Sequence, residues 1–595
     1  MQTLNDVHQQ FAIFFKSERL RPYAYLVSKK LSEGHICLQL DELEDEKDSL
    51  PAAYKWVGIT TDLLTGPFVT TAEGPKQPFV MHNERLYLQR YFNYETMILN
   101  RIMEFIAAER EYETGRTELL KTHQSFVKRL FKSADFESDA KVNWPLAAAL
   151  SGVMNNFTII TGGPGTGKTT TVAKILAILY KTDPQLKVAL AAPTGKAAAR
   201  MAESLKNASL DVNGDIIEKF QSLQPSTIHR LLKNIKDTPY FKSNNQNPLD
   251  YDVLIIDESS MIDVALFAKL LDAIGPKTRL ILLGDKDQLA SVEAGSLFGD
   301  LCKAQERLNV FSVERATLIN SLNDVPSAQI TPNEIAQPTG HPLFQHIIEL
   351  KHSHRFKTEE GIGRFSKAII QNEEEVIKAF LIPGADPQVQ VDTEYSEENF
   401  VNFVKGYEEY ILEEDIKAAL FKLNGLKILC AIREGEQGLY ALNRKVEKYL
   451  QERKLISLNH EFYEHRPVMV TNNNYQLELF NGDVGIIRKD DKGILKAWFE
   501  DSEGNLKAVI PGLLSSVETV YAMTIHKSQG SEFDQIMLVL ADAKNISILT
   551  RELLYTGLTR ARSGILLQGK ETVILQAAAM KVQRASGIAQ RFLEQ

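Results

Sequence analysis

Cysteine is scarce: Cys37, Cys302 and Cys430 are the three in 595 residues. Their number and separation argue against a disulfide frame or a cysteine-rich metal site and fit a reducing compartment. Long apolar runs are missing too, and none approaches the length that spans a bilayer. Asp6 and polar neighbours stand where a signal peptide would carry its apolar stretch. Excess positive charge is the third absence. The formal net charge of -9 leaves no global basic footprint, so a nucleic-acid partner would need a local basic groove. What remains, at 44% hydrophobic and 24% charged residues, is the composition of a globular protein. The length predicts several domains, and the expected setting is soluble, cytoplasmic and without a membrane role.

One stretch organises the rest: Gly162, Gly163, Pro164, Gly165, Thr166, Gly167, Lys168, Thr169 and Thr170. Before it, Phe157–Ile160 reads as a buried strand, and behind it Thr171–Tyr180 reads as a helix with an apolar stripe. Strand, glycine-rich loop and helix are the setting of a phosphate-binding Walker A loop. The glycines let backbone N–H groups turn inward around phosphate oxygens, and the helix N-terminus adds donors and partial positive charge. Lys168 would reach the β- and γ-phosphates of ATP, and the Thr169 hydroxyl would hold Mg²⁺. A second apolar strand, Asp252–Ile256, delivers Asp257 and Glu258 at its C-terminal end, where α/β sheets bind ligands. Asp257 suits Mg²⁺, and Glu258 suits positioning and deprotonating an attacking water. The strand Arg279–Gly284 leads to Gln288, a neutral group able to sense a γ-phosphate or a water.

Other stretches concentrate donors at the starts of helices. Pro193, Thr194, Lys196 and Arg200 follow the strand Leu186–Ala192, and Thr227 and His229 open another helix. Both groups either cap their helices or grip nucleic-acid backbone phosphates. His526 and Lys527 add a third cluster of donors for a DNA strand, and Glu532 just beyond is able to accept from a ribose hydroxyl. Arg355 and Arg560, each taken alone, read as surface charges. Pro145 has no side-chain donor or acceptor at the place where helicases of superfamily 1 usually carry an adenine-reading glutamine. Residues 100–118 read as a surface helix, and the region up to about 120 either packs or docks a partner. Residues 308–340 read as a linker between two lobes, with a new apolar pattern from Phe344. Ile494–Pro511 alternates like a small β insertion.

In order along the chain stand GGPGTGKTTT, APTGKAAARM, DVLIIDESSMID, LLGDKDQLASVEAG, LKHSHRF, MTIHKSQGSEF and LYTGLTRAR. Together they resemble superfamily 1 DNA helicases. IREGEQGLYALNR, RPVMVTNNN, LFNGDVGI and HKSQGSEFD resemble in particular the RecD family, the alpha subunits of exodeoxyribonuclease V. The resemblance covers roughly Asn143 to the C-terminus. It implies an α/β fold with two RecA-like P-loop lobes, parallel sheets flanked by helices, with ATP between them. The expected division is a mainly helical N-terminal docking domain (1–120), a first lobe (121–335) and a second lobe (336–595) with a β insertion at about 445–515. The resemblance also implies that Arg355 and Arg560 come from the second lobe onto the γ-phosphate. It implies 5′→3′ translocation on single-stranded DNA, action on duplex ends, and a heterotrimer with RecB-like and RecC-like subunits in double-strand break repair. No nuclease site of its own is expected. The alternatives are a stand-alone RecD-like helicase, a P-loop ATPase that remodels RNA or protein, and a nucleotide-binding scaffold without turnover. The last conflicts with Glu258, Arg355 and Arg560 occurring together.

Overall fold

The computed structural model describes residues 6–41, 43, 50–51, 54, 67–132, 142–338, 340–356, 360–474, 476–501, 504–542 and 548–594. Twenty strands form four sheets in this part of the chain. The start of the stretch leading into the Walker loop, before Val142, lies outside it.

The N-terminal region pairs helices Val7–Phe14 and Arg21–Ser32 with a small sheet. Its strands β1 (Cys37–Gln39), β2 (Val69–Thr71), β3 (Phe79–His82) and β4 (Arg85–Leu88) stand in the order β1-β4-β3-β2. The mainly helical region expected here thus also holds a small sheet. The helix Gln89–Glu109 that follows joins this region to the first lobe, with Phe92 packed against Cys37, Val80 and Tyr87, and it is no surface helix. Ile98, Leu99, Ile102 and Phe105 are fully buried in one cluster with Phe157, Ile256 and Phe267 of the first lobe. The charges of this helix are partly turned inward as well: Glu95 is fully buried, and Arg101 donates to the carbonyls of Leu271 and Ile274. Glu109 at its end clamps the next sheet by accepting from the backbone N–H groups of Asn156 (2.6 Å) and Phe157 (3.1 Å).

The first lobe is a six-stranded sheet. It consists of β5 (Phe157–Thr161), β6 (Val188–Ala192), β7 (Ser226–Thr227), β8 (Val253–Ile256), β9 (Arg279–Gly284) and β10 (Ile347–Glu349). The order is β10-β5-β9-β8-β6-β7 and every pairing is parallel. Alternate residues of the central strands feed opposite layers, because successive side chains on a strand point to opposite faces. Val253, Ile255, Ile281 and Leu283 pack on one side, and Leu254, Ile256, Leu280 and Leu282 on the other. Burial on both faces explains the nearly unbroken apolar runs.

Two boundary expectations change here. Most of the stretch 308–340, as far as Ile335, is part of the first lobe: the helix Val313–Ser321 packs Ala316, Leu318 and Ile319 into its core, and Arg315 donates to the Asn155 side chain at 3.0 Å. The pattern from Phe344 does not open the second lobe either, because β10 pairs with β5 at the edge of the first sheet. The physical reason is the β5 edge, whose open ladder needs a partner before the chain crosses over.

The second lobe consists of β11 (Val389–Asp392), β12 (Leu426–Cys430), β18 (Ala522–Thr524), β19 (Phe533–Val539) and β20 (Ala561–Gln568). They stand in the parallel order β11-β20-β19-β12-β18. Between β12 and β18 the chain inserts an antiparallel sheet of β13 (Pro467–Val470), β14 (Val484–Lys489), β15 (Leu495–Glu500), β16 (Leu506–Val509) and β17 (Val517–Thr519). The last helix, Ile588–Leu593, returns to the N-terminal side, where Arg591 pairs with the fully buried Glu95 at 3.1 Å.

Candidate nucleotide cleft and nucleic-acid contacts

The Walker loop sits at the C-terminal end of β5, between the two lobes. Gly167 (φ 82°) is the N-cap of the helix Lys168–Thr182, and Gly165 has φ 77°. Both conformations strain any residue with a Cβ, and a Cβ on Gly165 would also collide with that of Arg355. Lys168 folds back over the loop and donates from Nζ to the carbonyls of Gly162 (2.6 Å) and Gly163 (3.1 Å). Thr166 donates to Gly163 O at 2.8 Å. Thr169 and Thr170 line a cavity of about 310 Å³ with Ser204, Asn207, Ala208 and Leu210.

The loop is braced from the crossover segment. Ser353 Oγ donates to Pro164 O (3.0 Å) and the His354 N–H donates to Gly165 O (2.9 Å). Arg355 thus reaches the cleft from the end of the first sheet, and not from the second lobe. The ladder from β10 continues through the Leu350 N–H to Thr161 O (2.8 Å), which carries the arginine to the Walker loop.

Asp257 and Glu258 emerge from β8. Glu258 holds a left-handed backbone (φ 50°, ψ 39°), and its N–H donates to Asp257 Oδ1 at 2.8 Å. A non-glycine residue in that region is strained, and such strain gathers at functional sites. Burial, followed by the charge of Glu258, pushes the Asp257 carboxyl up to about 6, while Lys168 pulls the other way. A buried carboxylate and a threonine hydroxyl are both oxygen donors of the kind that a hard cation such as Mg²⁺ prefers.

Gln288 is buried, with an Oε1 that has no hydrogen-bond partner; Arg355 Nη1 is likewise buried and unpartnered. These orphaned groups fit a polar ligand in the cleft. The residue after Gln288 joins the lobes: the Leu289 N–H donates to Thr556 Oγ1 (2.9 Å) and its carbonyl accepts from Gln529 Nε2 (2.9 Å).

The second lobe presents Arg560, 3% exposed, with Nε donating to Thr556 O at 3.0 Å and Nη1 to Ser531 O at 3.3 Å. Burial lowers its pKa, while the carboxylates of Glu258, Glu532 and Asp285 support its charge. Arg560 therefore lies within the field of the Walker B acid across the cleft. Tyr555, one turn earlier, donates to Asp285 Oδ2 at 3.0 Å, and its hydroxyl oxygen lies 2.9 Å from where a Cβ on Gly163 would stand. Sequence reasoning missed Tyr555, Asp285, Gln529 and Ser353. All lie inside motifs already singled out, but only the docked lobes reveal which members face the cleft.

Glu532 meets three arginines: Arg355 (2.7 Å), Arg562 (3.2 Å) and Arg200. Burial pushes its pKa up, but Arg200 and Arg355 outweigh that and hold the carboxyl at about 2. Arg200, expected on DNA, is thereby corrected to the cleft. It lies six residues beyond Thr194 on the helix Gly195–Lys206, and its guanidinium meets Glu532 of the other lobe.

The remaining polar candidates stand apart from this group. Thr194 caps its helix by accepting from the Ala197 N–H (3.2 Å), beside Pro193, and exposed Lys196 faces Asp483. Phe480 lies 3.8 Å from where a Cβ on Gly195 would stand, and Lys527 Nζ donates to Asn481 Oδ1 at 3.1 Å. One seam thus runs from the first lobe to the inserted sheet. Thr227 caps its helix through the Arg230 N–H (3.2 Å), and exposed His229 meets Phe241 edge-on with centroids 5.6 Å apart. His526 is half-buried in the field of Arg584 rather than beside Lys527's partners. Pro145 is in the first turn of the helix Trp144–Met154, where a missing N–H costs nothing.

Two parallel sheets that share a cleft, with a Walker loop on one and a buried arginine on the other, have the build of a superfamily 1 helicase. Comparison with known proteins narrows this. Residues 146–294 match the AAA domain, 519–567 the UvrD-like helicase C-terminal domain, 442–499 the SH3 domain of ATP-dependent RecD-like DNA helicases, and 1–87 the N-terminal domain of RecBCD enzyme subunit RecD. RecBCD enzyme subunit RecD of Mycolicibacterium smegmatis is 34% identical across 95% of this chain and 92% of its own length. The protein of the same name from Haemophilus influenzae is 31% identical across 95% and 92%. The ATP-dependent RecD2 DNA helicase of Deinococcus radiodurans is 28% identical over 71% of this chain and 48% of its own. A crystal structure of Pif1 helicase from Bacteroides in complex with ADP-AlF3 and ssDNA aligns over 74% of this chain and 94% of that one, with 16% identity and a TM-score of 0.35. The chain belongs to the RecD family and is an ATP-dependent DNA helicase.

Proposed function

We propose that the chain is the 5′→3′ single-stranded DNA translocase of a RecBCD-type helicase/nuclease, working with RecB-like and RecC-like subunits on duplex ends in double-strand break repair. The supporting relatives are named as subunits of that enzyme, and they match almost end to end. No helix among the described residues is long and apolar enough to cross a membrane, and a cytoplasmic setting is part of the proposal.

In this reading the Walker loop and Lys168 bind the phosphates of ATP, and Thr169 and Asp257 hold Mg²⁺. The ion would neutralise phosphate charge and orient the reacting oxygens. Glu258 takes the proton of the attacking water, Gln288 orients that water or the γ-phosphate, and Arg355 and Arg560 stabilise charge as the bond to the leaving oxygen breaks. Glu532 accepts from the ribose. The proposed DNA contacts are Pro193, Thr194, Lys196, Thr227, His229, His526 and Lys527, of which Thr194, Lys196, Thr227, His229 and Lys527 grip phosphates without reading sequence.

The single observation that carries this reading is the position of Arg560. It is buried just before β20, in the field of Glu258 of the other lobe, and in this reading hydrolysis depends on lobe closure. Unwinding of 5′-tailed and 3′-tailed duplexes, by the chain alone and with RecB-like and RecC-like subunits, tests the proposal. Preference for the 5′ tail and stimulation by the partners is the expected result. Full activity alone would favour a stand-alone helicase, and 3′ preference would overturn the polarity.

A further inference from the structure

The helix Gly195–Lys206 has different tasks at its start and at its middle. Its start carries Thr194 and Lys196 on the seam with the inserted sheet. Arg200 lies six residues beyond Thr194, about 9 Å along the axis at the usual helical rise. There its guanidinium forms an ion pair with Glu532 of the opposite lobe. The pair is asymmetric, with the arginine side chain 40% exposed and the carboxylate 8%. Of the three arginines on Glu532, Arg562 comes from the carboxylate's own lobe and Arg355 from the crossover; Arg200 alone comes from a helix that begins at candidate DNA contacts. An α-helix of this length moves as a rod, so a shift at its start is felt at Arg200.

We propose that Arg200 is a positioning residue that couples DNA contact at the start of its helix to the nucleotide cleft. It does so by holding or releasing Glu532, and so sets whether that carboxylate is free to accept from a nucleotide ribose. The proposal rests on the DNA-contact reading of Thr194 and Lys196 given above. Linkage is reciprocal, so nucleotide that draws Glu532 away from Arg200 also alters DNA affinity.

The test measures the dissociation constant of a fluorescent single-stranded oligonucleotide with and without ADP–aluminium fluoride, for the full chain and its variants. The two wild-type constants should differ by about 5–150-fold, the range of ordinary allosteric coupling. In Arg200→Gln the ratio should fall to near one, and Arg200→Lys should recover part of it. Glu532→Gln should abolish the same coupling, and adding it to Arg200→Gln should cause no further loss. A wild-type ratio of one, or a wild-type-sized ratio in Arg200→Gln, overturns the proposal. If Lys196→Ala and Thr194→Ala leave DNA affinity unchanged in both conditions, the DNA-contact reading itself falls and takes the proposal with it.

Discussion

Lys168 needs the phosphates for its charge to matter. It now satisfies its donors on the carbonyls of Gly162 and Gly163, which are neutral acceptors. Lys168→Gln should abolish ATP hydrolysis while leaving the thermal unfolding midpoint unchanged, as read by turnover and circular dichroism. Hydrolysis at the wild-type rate would remove the phosphate assignment. Glu532 makes a second residue-scale case. Its folded pKa of about 2 lies below its ordinary 4.5, so the contribution of its arginine contacts is complete above 4.5 and is lost as pH falls toward 2. Fluorescence transfer between the lobes should therefore hold steady from neutral pH down to about 5. Lobe separation that begins near neutral pH in wild type and not in Glu532→Gln would contradict that assignment. At the residue scale the motifs fix position: Lys168 stands at the start of the helix behind the glycine loop, and Asp257 and Glu258 at the end of β8, as expected. The pairing of Arg200 with Glu532 was not legible because the two lie 332 residues apart, and no local pattern records such a contact.

At the scale of elements, the helix Gln89–Glu109 is the clearest lesson. Its surface reading followed from abundant charge, but Ile98, Leu99, Ile102 and Phe105 form a stripe that closes one face of the first sheet. Phe105→Ala should cost about 3–5 kcal/mol, as truncation of a buried aromatic does. Chemical denaturation measures this directly, and a cost within about 0.5 kcal/mol would return the helix to the surface. Strands were read well because runs buried on both faces are distinctive: Arg279–Gly284 is one strand as expected. The edge strand β10 was legible as apolar but not as a member of the first lobe, since pairing partners lie outside the local sequence. Short strands β1 to β4 were missed because three or four residues hold too little alternation to stand out.

At the scale of the whole molecule, the chain crosses between units more than once. The crossover brings Arg355 to the Walker loop, and the C-terminal segment leaves the second lobe to end against the N-terminal side. On its way, Arg584 donates to Glu293 O (3.1 Å) and Gly295 O (2.9 Å) of the first lobe. Glu95 accepts from the Gly587 N–H (2.8 Å) and from Arg591, burying a charge that burial alone would neutralise. Removing one partner of such a pair typically costs about 3–5 kcal/mol, so Arg591→Ala should lower the denaturation midpoint by a corresponding amount. An unchanged midpoint would show that this return does not brace the assembly.

The central claim is that ATP is turned over in a cleft completed by the second lobe. Its most direct measurement is steady-state ATP hydrolysis, with and without single-stranded DNA, in wild type and Arg560→Ala, alongside nucleotide binding in the same preparations. DNA should stimulate the wild type, and Arg560→Ala should bind nucleotide normally yet turn over about 10³–10⁵-fold more slowly, the usual value of an arginine finger. Turnover in Arg560→Ala equal to wild type, with the same response to DNA, would contradict the account.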